Sequence, residues 1–63
     1  MHLNIAKIEA EMERLNVNRR WLAEKLNVSP GMVTYIFNTR PIAYAEKMGK
    51  IFNLSGKDFI IEE

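Results

Sequence analysis

Cysteine is missing altogether from the 63 residues. Neither a disulfide framework nor a thiolate metal cluster can therefore form, which removes the usual staples of very small proteins. The lone histidine, His2, has no second ligand at metal spacing, so no metal is expected. Nowhere does an apolar run approach the roughly 20 residues needed to cross a bilayer. The opening Met-His-Leu-Asn also lacks the charged start and apolar stretch of a secretory leader, and a cytoplasmic protein is the expectation. Equally absent is any set of side chains from which a catalytic centre could be assembled, whether a nucleophile with its base or a pair of carboxylates in a pocket. Glu9, Glu11 and Glu13 fall beside Lys7 and Arg14 and read as a solvated helix surface. Neither enzymatic activity nor a cofactor is expected. So short a chain makes one domain at most and hides a smaller share of its surface than larger domains do. Helix packing or a partner subunit must supply its stability.

What is present is unevenly distributed. The net charge is only +1, but residues 14 to 50 hold seven basic residues against two acidic ones, a net +5, while the segments on either side each carry −2. A basic centre between acidic ends points to an anionic partner for the middle of the chain.

One short pattern recurs wherever a helix should stop: Leu15-Asn16-Val17-Asn18, Leu26-Asn27-Val28-Ser29, Phe37-Asn38-Thr39-Arg40 and Phe52-Asn53-Leu54-Ser55. Asparagine is the best residue after glycine for the left-handed conformation that ends helices, and Asn18, Ser29 and Ser55 are strong N-caps for the next helix in each case. Three corners thus read as stop, apolar plug, restart. The fourth restarts through Pro41, suited to a first helical position because it has no N–H to leave unpaired. Between corners the apolar residues keep helical spacing: Ile5, Ile8, Met12 and Leu15, then Leu22 and Leu26, then Val33 and Ile36, then Ala45, Met48 and Phe52. The spacing predicts an all-α domain of five helices over residues 5–15, 19–26, 30–38, 41–52 and 56–61, with no strand. Leu3 and Ile8 flank the Asn4 cap as a hydrophobic staple, and Asp58, three residues after Ser55, makes a capping box.

Links this short force consecutive helices to turn sharply, and the pair joined at Asn27-Val28-Ser29 matches helix-turn-helix geometry. Ala23 is small where two crossing helices would meet, with Leu22, Leu26, Val28, Val33 and Ile36 as the apolar contacts between them. Arg19 and Arg20 stand in a first helical turn, where the macrodipole disfavours cations by about 0.3 to 1 kcal/mol each. A phosphate beside that helix start would compensate. The helix opened by Ser29-Pro30 would expose Gly31, Met32, Thr34, Tyr35 and Asn38. Of these, Gly31, Thr34, Tyr35 and Asn38 are the candidates for base contact, with Thr39 and Arg40 for phosphates beyond the helix end. Trp21 is expected to pack, and Lys47 is either a further phosphate contact or solvated charge.

The span from Asn18 to Arg40 resembles the DNA-binding core of the Cro and phage-repressor type (XRE, lambda-repressor-like) helix-turn-helix family. The resemblance rests on Leu22-Ala23-Glu24-Lys25-Leu26, Val28-Ser29, Val33 and Ile36, with Pro41 opening the fourth helix and Leu54-Ser55 the fifth. It covers nearly the whole chain. It implies a five-helix lambda-repressor-like domain that binds double-stranded DNA, with Arg19 at the family's phosphate-holding position and Pro30, Gly31, Thr34 and Tyr35 at its base-reading positions. This chain departs from the family in having arginine where glutamine is common at position 19, and asparagine where glycine is common at 16, 27 and 53. Pro30 and Gly31 replace side chains that could read bases, which shifts the expected reading to Thr34, Tyr35, Asn38 and DNA shape. The competing expectation is a protein-interaction module that keeps the fold without base reading. Proteins of this type pair two half-sites, so a homodimer is expected. Its candidate interface is Phe59, Ile60 and Ile61, an apolar tip too large to leave exposed.

Overall fold

The computed structural model describes residues 1–62, and its architecture is mostly helical. In chain order it contains β1 (His2–Leu3), α1 (Ile5–Leu15), α2 (Arg19–Leu26), α3 (Pro30–Thr39), a 3-10 turn (Ile42–Tyr44), α4 (Ala45–Phe52), a second 3-10 turn (Gly56–Phe59) and β2 (Ile60–Ile61). No helix is long and apolar enough to cross a membrane. The Cα radius of gyration, 10.5 Å, matches the roughly 10.6 Å expected when a chain this long packs around one core.

Three asparagine corners form as the spacing predicts. Asn16, Asn27 and Asn53 take left-handed backbone, with φ of 57°, 59° and 59°. The amide after each donates five residues back: Val17 to Met12 O (3.0 Å), Val28 to Ala23 O (3.0 Å) and Leu54 to Gly49 O (2.7 Å). Each bond satisfies a carbonyl that the ending helix would otherwise leave open. Val17 and Val28 plug against the core, whereas Leu54 stays substantially exposed. Gly49 is fitted to the last of these corners. A Cβ there would lie 2.7 Å from Leu54 O and 2.9 Å from the Gly56 amide, so α4 accepts the returning chain only because this position has no side chain.

The fourth corner differs from expectation. Asn38 remains inside α3, which runs on to Thr39, and the left-handed residue is Arg40, with φ of 51°. Pro41 disfavours helical backbone at the residue before it, so the stop falls at position 40 whatever occupies it. Arg40 is held there from both sides: its amide donates to Ile36 O (2.8 Å) and its carbonyl accepts from Leu3 N (3.0 Å).

Two helices need correction. The fourth does not start at Pro41, which is extended. Its chain enters α4 through the 3-10 turn, where Tyr44 N donates to Pro41 O (3.2 Å). No Ser, Thr, Asp or Asn stands at 41–44 to cap an α-helix, and the tighter turn satisfies the amide instead. The fifth helix is only a 3-10 turn. Its capping box forms, with Lys57 N donating to Ser55 Oγ (3.3 Å) and Ser55 N to Asp58 Oδ2 (3.2 Å). The chain then straightens, and Ile60–Ile61 pairs antiparallel with His2–Leu3 in the register His2↔Ile61, Leu3↔Ile60. β-Branched residues suit that pairing, which a sequence without strand alternation does not announce.

The core is built on the wholly buried Leu3, Ile8, Leu22, Val33, Ile36, Met48 and Phe59. Leu3 and Ile8, on either side of the Asn4 cap, are both wholly buried in the core, and Asn4 Oδ1 accepts from Lys7 N (3.1 Å). A run of rings ties the elements together: Trp21 to Phe52 at 5.9 Å and Phe52 to Phe59 at 5.8 Å between centroids. Trp21 therefore packs, as expected.

Glu11 is not the solvated carboxylate its neighbours suggest. It is only 8% exposed, with Arg14 Nε (3.0 Å) and Nη2 (2.8 Å) both donating to its Oε1 and Lys7 Nζ lying 3.7 Å from Oε2. The Arg14 hydrogen bonds hold its carboxyl below the ordinary 4.5 against the opposing pull of burial, and the charges of Arg14 and Lys7 act in the same direction. A carboxylate whose pKa is lower folded than unfolded contributes stability above the unfolded value, and that contribution disappears as pH falls through the folded value. Stability should therefore drop below about pH 4.5, the ordinary value of this carboxyl, and Glu11→Gln should remove part of that acid limb. Urea melts of both proteins between about pH 6 and pH 3 test this. A difference between them that does not change with pH contradicts it.

Candidate nucleic-acid interface

The two helices at the centre of the chain cross through a three-residue corner. Ala23, 2% exposed, lets α2 and α3 approach; Leu22, Leu26, Val33 and Ile36 are buried and Val28 is half-buried beside them. Each helix is set by its own cap. Asn18 Oδ1 accepts from Trp21 N (2.9 Å) to start α2, and Ser29 Oγ accepts from Met32 N (3.2 Å) to start α3, with Pro30 as its first residue.

α3 contains no charged residue. Val33 and Ile36 face the core, with Met32 and Phe37 half-buried beside them. Met32 thus packs and is not part of the open face. Gly31, Thr34, Tyr35 and Asn38 are all exposed, and their spacing (i, i+3, i+4, i+7) lines them along one stripe. Tyr35 is 56% exposed, a large ring turned to solvent. The Thr34 hydroxyl makes only a long contact to Pro30 O (3.5 Å), so it is open to another partner. Thr39 differs: its hydroxyl donates to Tyr35 O at 2.8 Å, which commits its proton to extending the helix. A phosphate needs donors, and the Thr39 side chain has none to spare in this arrangement.

The expected arginines occupy three distinct settings. Arg19, on the first residue of α2, lies with its guanidinium 4.5 Å from the centroid of the Phe37 ring. The two line a groove of about 350 Å³ whose walls include Glu9 and Glu13, yet among the described residues Arg19 makes no ion pair or side-chain hydrogen bond. Arg20 sits 3.8 Å from Glu24, with both side chains largely in solvent. Such a pair is worth roughly 0 to 1 kcal/mol and leaves Arg20 available. Arg40 projects from the pinned left-handed corner at the end of α3, exposed and in no ion pair among the described residues. The first turn of α2 adds two open amides, since its first intrahelical bond is Leu22 N to Asn18 O (3.2 Å).

The structure groups Lys47 elsewhere. Its Nζ lies 5.2 Å from the Tyr44 ring, and it lines a groove with Lys25 and Lys50, at the opposite end of α2 from Arg19.

The C-terminal tip divides. Phe59 is fully buried and closes the core, so it cannot form a contact with another subunit. Ile60 and Ile61 are half-buried on β2. Ile60 borders a groove of about 480 Å³ that Ile42 and Ala43 also line. The contact between Arg19 and Phe37 is one that sequence reasoning misses. It joins the start of one helix to the end of the next, and no periodicity within either helix signals it.

No family model, curated protein or solved structure matches this chain.

Proposed function

We propose that this chain is a sequence-specific double-stranded DNA-binding transcriptional regulator of the small phage- or plasmid-repressor kind, with a lambda-repressor-like helix-turn-helix at α2 and α3. The observation that carries the reading is the uncharged, exposed stripe of α3, accompanied by exposed Arg19 and Arg20 at the start of α2 and exposed Arg40 at the end of α3. An α-helix with its side chains is about 10 to 12 Å across and a B-form major groove is about 12 Å wide, so the ten-residue α3 can lie in it. Asn38 offers the paired donor and acceptor that match an adenine edge, Tyr35 a ring for a thymine methyl or a sugar, and Thr34 a hydroxyl for base or phosphate. Gly31 admits close backbone approach. Arg19, Arg20, the open amides of α2 and Arg40 hold phosphates beside the groove.

Each copy offers a single α3, and the Cα trace is 29 Å in its longest dimension. Successive half-sites lie about 34 to 36 Å apart. Two copies are therefore required for a paired site, with the half-buried Ile60 and Ile61 of β2 as the candidate contact between them.

Titrating random-sequence duplex at two salt concentrations tests the reading. Log affinity should fall with log salt by about 0.9 per phosphate neutralised, and a flat response would sink it. A second reading, a protein-interaction module on the same fold, is favoured by Pro30 and Gly31 at the reading positions and by Glu9 and Glu13 beside Arg19. It predicts that flat response.

A further inference from the structure

We infer that Phe37 is the positioning residue of the Arg19 phosphate clamp, holding the guanidinium ready at the DNA surface while leaving its donors free. The inference rests on the proposed DNA-binding function. Its physical basis is the way a guanidinium can be held. A carboxylate partner would occupy its N–H groups, which are the groups a phosphate requires. An aromatic ring attracts the cation through its π-face and takes no donor. Arg19 lies 4.5 Å from the Phe37 centroid, while Glu9 and Glu13, lining the same groove, are not within ion-pair distance of it.

The ring is itself partly anchored. Phe37 is half-buried and packs against the core, which restricts the movement of the floor it offers the guanidinium. A long side chain loses rotamer freedom when it grips a phosphate, and holding it in place beforehand lowers that cost at the moment of binding. The contact also ties the start of α2 to the end of α3. Phe37 adjoins Asn38 in sequence and lies two residues from Tyr35, so the phosphate grip and the reading stripe keep a set spacing.

A double-mutant cycle tests this, using random-sequence duplex with wild type, Phe37→Leu, Arg19→Gln and the double variant. Leucine keeps an apolar side chain on the core but removes the π-face. Phe37→Leu should weaken binding about two- to five-fold in the wild-type background and have no further effect once Arg19 is glutamine. Phe37→Tyr should bind like wild type. Equal weakening in both backgrounds would mean that the ring serves only packing, and an unchanged Phe37→Leu would overturn the proposal as well. Arg19→Lys, which leaves the core untouched, is the check if Phe37→Leu fails to fold. It keeps the charge but loses the planar fork, and wild-type affinity there contradicts the clamp. Wild-type protein that shows no salt-dependent duplex binding defeats the functional reading itself, an outcome distinct from binding that ignores Phe37.

Discussion

Replacing Arg19 and Arg20 together with glutamate should abolish the proposed duplex binding and leave the chain folded. Both side chains are exposed, and neither contributes to the core. Their removal sacrifices one cation–π contact and one solvated ion pair, each worth about 1 kcal/mol or less. Against that loss, glutamate in the first turn of α2 interacts favourably with the helix dipole by about 0.3 to 1 kcal/mol per residue, where arginine interacts unfavourably. Stability should stay within about 1 kcal/mol of wild type, a shift of no more than roughly 4 to 8 °C in melting temperature for a domain this size. DNA affinity responds in the opposite sense. Each substitution removes a phosphate partner and places a like charge in its position, beside Glu9 and Glu13 at residue 19. Fluorescence anisotropy with duplex, alongside a thermal melt, separates the two effects. Retained binding contradicts the phosphate role, and binding lost together with folding would assign the arginines to packing.

The second large effect is expected at Phe59. Truncating a buried phenylalanine to alanine costs about 3 to 5 kcal/mol, and a chain of this length has only about 3 to 9 kcal/mol in total at the usual stability per residue. Phe59 is 0% exposed, stacks against Phe52, and its carbonyl accepts the Asn4 amide at 2.7 Å. Phe59→Ala should be largely unfolded at room temperature or retain a small fraction of wild-type stability in urea. Ile60→Ala and Ile61→Ala, on half-buried positions, should cost less and act on self-association seen by sedimentation. A Phe59→Ala protein that unfolds as cooperatively and as late as wild type, with only its dimerisation altered, would contradict the core placement.

Most of the helical framework is readable in the sequence because its signals are local. Asn18, Ser29 and Asn4 cap through their own side chains within three residues, and the left-handed asparagines close their bonds within five. The exposed stripe of α3 is readable for the same reason, since Val33 and Ile36 orient the helix and determine where Gly31, Thr34, Tyr35 and Asn38 face. The hidden features depend on distant partners. Phe59, Ile60 and Ile61 read as the end of a helix until His2 and Leu3, at the other end of the chain, supply a ladder. Arg19 in a first helical turn suggests the proposed phosphate partner, but nothing near it in sequence names Phe37. Glu11 looks like its exposed neighbours until Lys7 and Arg14 fold over it.

The short ladder pairs residues far apart in the sequence. Bringing β1 and β2 together closes a long loop, and the entropy of that closure should favour forming the local helices first. Leu3 belongs to the ladder and also donates to the Arg40 carbonyl, so this late seam secures the far end of α3. Amide exchange should accordingly be faster at Leu3 and Asn4 than at the α2–α3 crossing. Parting of β1 from β2 would release one anchor of Arg40, whose carbonyl accepts from Leu3 N, so the β1–β2 seam and the end of α3 are mechanically linked.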